Sequence, residues 1–155
     1  MTDDDRLKLA ALDEEDLAVL SAHVQDAVLK VADMAYLPKE NRFVVVMNRF
    51  GWEQVAGRRR DYQRRRAALT FDRVDAVKTS RIRRADGDAV LNLLAVEFSP
   101  SNPPAGAITL VFAGGGAVRL DVECIEVRLA DLGAAWATTA KPSHDLDAGD
   151  VAPEQ

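Results

Sequence analysis

Two arginine triplets, Arg58-Arg59-Arg60 and Arg64-Arg65-Arg66, flank Tyr62 within ten residues of chain. A guanidinium presents a rigid fork of N–H donors that matches phosphate and carboxylate oxygens. A tyrosine between such forks could stack on an unpaired base, as single-strand binders do. The chemistry on offer is the non-covalent recognition of an anion. A second reading stands beside it: charge runs are commonly solvated segments that meet acids of the same molecule or of a second copy. Either way residues 57–66 are expected to be exposed, because burying so many charges without partners is prohibitive.

No other set of residues is as dense. Nucleophilic catalysis needs a base beside the nucleophile. Cys124 falls in phase with Val118, Leu120 and Val122, which alternate with Arg119, Asp121 and Glu123. That phase predicts a buried, inert thiol. His23 lies on the polar flank of a predicted helix, and no spacing brings it or His144 near Cys124. Ligands so scattered lack the close spacing of a metal site, so no catalytic residue, metal or cofactor is expected. Gly114-Gly115-Gly116 would cradle a phosphate only at the start of a helix, and the alternation after it predicts a turn between strands instead. Tyr36, Phe50 and Trp52 are read as core or core-edge aromatics, with a ligand pocket as the alternative.

The elements that must carry these residues follow from period and punctuation. Residues 7–12 suggest a short strand. Asp13 is a helix N-cap, and Glu14, Glu15 and Asp16 put negative charge on the first turn, where free N–H groups favour it. Leu17, Leu20, Val24 and Val28 recur at helical spacing, predicting a helix over 14–27. Strands are expected at 29–36 and, after a turn at Pro38 and Asn41, at 43–47, which is apolar in both phases and therefore covered on both faces or central. Further strands are expected near 69–71, 76–82, 90–98, 108–112 and 118–124, with Asp86-Gly87 as a hairpin turn. Ile125, Leu129, Leu132 and Trp136 are spaced as on one face of a terminal helix. A faint echo links Asp26-Ala27-Val28 before Phe50 with Asp75-Ala76-Val77 before Phe98, the trace that a duplication, or chance, would leave.

Composition narrows the setting. The 155 residues suit one domain with a sizeable core, 48% apolar and 29% charged. Net charge is −5, yet residues 49–84 hold twelve of the twenty Lys and Arg against four acids, a formal +8, which leaves −13 elsewhere. Attraction to polyanions must therefore come from a local patch. No apolar run approaches the about 18 residues of a membrane span. The acidic start lacks the pattern of a signal peptide, and a lone cysteine suits a reducing compartment, so a cytoplasmic protein is expected.

Four stretches, residues 27–31, 33–39, 48–53 and 122–126, resemble the family called domain of unknown function 2948. They read Ala-Val-Leu-Lys-Val, Asp-Met-Ala-Tyr-Leu-Pro-Lys, Asn-Arg-Phe-Gly-Trp-Glu and Val-Glu-Cys-Ile-Glu. The resemblance implies a small stand-alone bacterial protein and carries no catalytic residues.

The expected fold is α+β: a mostly antiparallel sheet, curved or in two parts, with one helix near the N-terminus and one after the last strand. A pleckstrin-homology-like small barrel is the alternative. One domain is expected over 1–137, with a disordered acidic tail over 138–155. The expected function is a non-enzymatic binding or adaptor module that contacts an acidic partner, protein or nucleic acid, through Arg58, Arg59, Arg60, Tyr62, Arg64, Arg65 and Arg66. A self-association module, such as a homodimer, and an enzyme with an unrecognised site are the alternatives.

Overall fold

The structure, a computed structural model, describes residues 6–51, 62–133 and 136–138. The α-helix α1 (Glu14–His23), the only one among the described residues, follows strand β1 (Lys8–Ala11). Then come β2 (Val28–Lys30), β3 (Met34–Leu37), β4 (Arg42–Phe50), β5 (Tyr62–Phe71), β6 (Val74–Ser80), β7 (Val90–Pro100), β8 (Gly106–Phe112), β9 (Ala117–Val122), β10 (Val127–Asp131) and β11 (Trp136–Thr138). All pairings are antiparallel, along the path β1-β10-β5-β4-β2-β7-β8-β9-β6, with β3 on β4 and β11 on β5. The sheet thus falls into two parts. Three-residue β2 is the narrow bridge, meeting β4 only at Val28 opposite Asn48 and meeting β7 over three pairs.

The two parts share one apolar cluster. It takes Leu17 and Leu20 from α1, Phe43, Val45 and Met47 from β4, Leu69 and Phe71 from β5, and Leu110 and Leu120 from the other half. Phe43 and Phe71 sit opposite each other with ring centroids 6.2 Å apart. Where the chain crosses between the halves, Asp72 N–H donates to the Glu126 carbonyl (2.9 Å) and Glu123 N–H to that of Arg73 (3.0 Å).

Asp13 caps α1 as expected, its Oδ1 accepting from Asp16 N–H at 2.8 Å. The helix stops at His23, four residues short of the expected end, because Asp26 turns left-handed (φ 67°) and its N–H donates to Leu93 O at 2.7 Å. Val28 accordingly belongs to β2, not to the helical stripe. Ser21 pins α1 to the sheet: its Oγ accepts from Val96 N–H at 2.9 Å, just past the bulge between Leu93 and Ala95. Asn41 is left-handed (φ 52°) after the Pro38 turn, and Gly114 (φ 89°) and Gly115 (φ 97°) turn the chain from β8 into β9, as their types predict.

Several expectations fail. The helix after the last strand is absent: residues 127–131 form β10, with β1 on one side and β5 on the other. Val127 and Leu129 point inward while Leu132, placed on the supposed helical face, is 52% exposed. The period-two pattern prevails because two flanking strands satisfy both edges of the backbone. Without a terminal helix, and with the sheet path open between β1 and β6, the barrel alternative falls too. Asp86-Gly87 is no hairpin turn, since β6 pairs with β9 and β7 with β2 and β8. The echoed segments differ likewise: β2 pairs with β4, whereas β6 and β7 are not neighbours. Trp52 and residues 139–155, most of the expected tail, lie outside the described residues.

Candidate functional site

The second half of the arginine-rich run, residues 62–66, is not the exposed segment that its charge suggests. Tyr62 opens β5, and Arg64, Arg65 and Arg66 lie along it between β4 and the strands β10 and β11. Alternation then sorts the side chains. Arg65 shares the inward phase of Ala67, Leu69 and Phe71 and is 0% exposed. On β4 the inward series Phe43, Val45, Met47 continues to Arg49, also 0% exposed, which is directly opposite Arg65. On β10 the series Val127, Leu129 continues to Asp131, which lies opposite Ala67. Three adjacent strands therefore end their core faces in charge.

Facing like charges repel across a strand pair, and here a carboxylate sits between them. Arg49 grips Asp131 with both tines of its fork, Nε to Oδ1 at 2.8 Å and Nη2 to Oδ2 at 3.0 Å. Arg65 Nε lies 3.8 Å from Oδ2. The backbone N–H of Leu7 donates to the same oxygen at 2.8 Å, and Asp131 N–H donates back to Leu7 O at 3.0 Å. The cluster ties β1 to β4, β5 and β10. Arg64 is 2% exposed: Nη1 donates to Asn48 O at 2.8 Å, and its guanidinium carbon stands 5.5 Å from the centroid of the Phe50 ring, a cation–π contact. The expected exposure of residues 57–66 thus fails at Arg64 and Arg65. Arg66 alone of that triplet faces solvent, with Nη1 3.4 Å from Asn48 Oδ1. Arg58, Arg59 and Arg60 lie outside the described residues. Arg49 and Asp131 were not singled out from the sequence, though the alternation phase of their strands marks both.

Arg6, Lys8 and Lys39 are exposed at scattered positions with no ion pair among the described residues, and other surface cations form two groups. Arg42 and Arg128 share Asp72, at 2.7 and 3.1 Å, Arg73 meets Glu126 at 3.2 Å, and Arg119 meets Asp121 at 3.0 Å. The hydrogen bond to Asp72 raises the Arg42 guanidinium above its ordinary value, and Glu126 does the same for Arg73. A raised pKa adds stability below the ordinary arginine value, lost only as pH rises through the raised one, so these guanidinium groups confer no pH dependence near neutrality. Lys78, Arg81, Arg83 and Arg84 are exposed and make no ion pair among the described residues.

The catalytic alternatives gain nothing. Cys124 is half-buried in the bend between β9 and β10, not on the inward phase of a strand, because β9 ends at Val122. His23 Nδ1 lies 3.0 Å from the Val19 carbonyl oxygen one turn back, and His144 is outside the described residues. Phe50 is buried, and Tyr36 donates its hydroxyl to Val74 O at 3.3 Å. Among the described residues no three His, Cys, Asp or Glu come together as metal ligands, and no helix is long and apolar enough to cross a membrane.

A family model described as protein of unknown function (DUF2948) matches residues 7–144. The chain belongs to this family. The DUF2948 match spans β1 through β11, so the whole described fold lies within it. No curated protein and no solved structure matches the chain.

Proposed function

We propose that the chain is a non-enzymatic binding module that meets an acidic partner through exposed basic side chains. The observation that supports this reading is the concentration of exposed cations without an ion pair over residues 78–84, beside scattered ones at Arg6, Lys8 and Lys39. Arg42, Arg73, Arg119 and Arg128 are each matched with an acid, whereas Lys78, Arg81, Arg83 and Arg84 are exposed with no ion pair among the described residues. Asp75, Asp86 and Asp88 lie near them along the chain, yet among the described residues none of these forms an ion pair with them. Arg66 joins this set from β5, and Arg58, Arg59, Arg60 and Tyr62 remain candidates beside it. Arg64 and Arg65 are better explained as structural.

The test is polyanion binding by the full chain at low salt, with polyglutamate standing for an acidic protein and mixed-sequence oligonucleotides for nucleic acid. Binding that weakens steeply with added salt supports the proposal. Absence of binding to either at low salt overturns it.

A further inference from the structure

We infer that Lys78, Arg81, Arg83 and Arg84 form a strip that grips the phosphate backbone of a nucleic-acid duplex without reading its sequence. The inference rests on the reading of the chain as a binding module for an acidic partner. Lys78 faces solvent on β6, which ends the sheet path and pairs on one side only, with β9. Past Ser80 the chain turns left-handed at Arg81 (φ 57°) and runs against the glycine turn between β8 and β9. A Cβ on Gly115 would come within 3.1 Å of Arg81 Nη1, and one on Gly116 within 3.1 Å of Ile82 Cγ1. Ile82 packs against the core, which anchors the strip and leaves its neighbours Arg81 and Arg83 exposed. Asp86 N–H to Arg83 O (3.0 Å), Ala32 N–H to Gly87 O (3.0 Å) and Val31 N–H to Ala89 O (3.0 Å) fix the far end. The strip is therefore held before any ligand arrives, which lowers the entropic cost of binding.

Charge selects the ligand. Residues 78–84 contain four cations and no acid; the nearest acids along the chain are Asp75 before them and Asp86 and Asp88 after them. Strand β6 ends at Ser80 and the chain turns at Arg81, so Lys78 projects from the strand and the three arginines from the segment beyond it. A duplex offers one charge per about 1.7 Å of axis, a density that acidic protein surfaces seldom match. Residues 74–91 contain no aromatic side chain. With no ring on which an unpaired base could stack, affinity must come from phosphate contacts, which position without specifying. The exposed Ser80 adds a neutral donor to the row.

The experiment measures fluorescence anisotropy of the full chain with duplex DNA, duplex RNA, single strands and polyglutamate over a salt series. The expected result is tighter binding to duplexes of any sequence than to single strands, with a log–log salt slope of about −3 to −4 for four phosphate contacts. Lys78→Ser, Arg83→Ser and Arg84→Ser together should lower duplex affinity at least about tenfold and flatten the slope by about 2 to 3 units. Arg81 is kept because its backbone is left-handed. Arg73→Ser, which removes a cation paired with Glu126, should leave the slope unchanged. Arg84→Glu alone, outside any strand, should move affinity in the same direction and serves if the triple variant does not fold. Binding to polyglutamate but not to duplex overturns the inference and leaves the binding-module reading standing. Tighter binding to single strands, or a duplex slope untouched by the triple variant, also overturns the inference alone. Binding to no polyanion at low salt overturns both.

Discussion

Asp131 is where three strands and the start of the chain converge, so its removal has consequences that no surface ion pair shares. Asp131→Ala leaves Arg49 and Arg65 facing each other without that carboxylate and Leu7 N–H without its acceptor. Denaturant unfolding should show a loss of about 3–5 kcal/mol. Asp131→Asn keeps the shape and an acceptor for Leu7 but gives up the charge, and should fall between. A loss no larger than that of a surface change would remove the cluster from its structural role. Asp13→Ala, at an exposed helix cap, should cost only about 1 kcal/mol by the same measurement. What the sequence could tell at this scale was uneven. The cap was legible because its chemistry is local. Arg64 and Arg65 depart from expectation because residue type says nothing of phase, and phase decides where a strand residue points: Arg65 continues Phe71, Leu69 and Ala67, as Arg49 continues Phe43, Val45 and Met47.

Strands announce themselves where one phase is apolar, and β4, β8 and β9 were legible for that reason. The segment 125–136 carried two periods at once. Its helical spacing through Leu132 competed with the alternation of Val127, Leu129 and Asp131, and pairing with β1 and β5, invisible along the chain, decided between them. The same pairing orders the strands by protection. β5 is covered by β4 on one edge and by β10 and β11 on the other, whereas β1, β3, β6 and β11 each have a single neighbour among the described strands. Hydrogen exchange should therefore be slowest in β5 over residues 65–71 and fastest among strands in the single-neighbour strands β1, β3, β6 and β11. Protection in β6 equal to that in β5 would mean that its outer edge is covered. Between helix and sheet, Ser21→Ala should cost about 1–2 kcal/mol, because the Val96 N–H loses its acceptor beside the bulge.

At the scale of the molecule, the sheet has two parts but the core has one. Leu69 and Leu110 belong to different halves and are both fully buried in the same cluster. Leu69→Ala and Leu110→Ala should each lower stability by about 2–5 kcal/mol. Each should shift a single transition, seen alike by near-UV and far-UV circular dichroism. Two separated transitions would mean that the bridge at β2 divides the molecule into independent units. The charge division between residues 49–84 and the remainder was plain from composition, but which cations stay exposed without an acid depended on where β6, β9 and the crossing between the halves bring carboxylates.

The Leu7–Asp131 contact joins residues 124 apart in the chain, and Arg49 reaches across 82 to the same carboxylate. During synthesis from the N-terminus, β4 and β5 can pair as soon as residue 71 is clear of the ribosome, which sets Arg49 against Arg65 well before Asp131 has been made. β1 emerges first of all the strands and has no edge to join until β10, nearly the last, is in place. The nascent chain therefore carries β1 undocked and its central arginines without Asp131 while the residues between them are made, and β1 docks only after β10 has emerged.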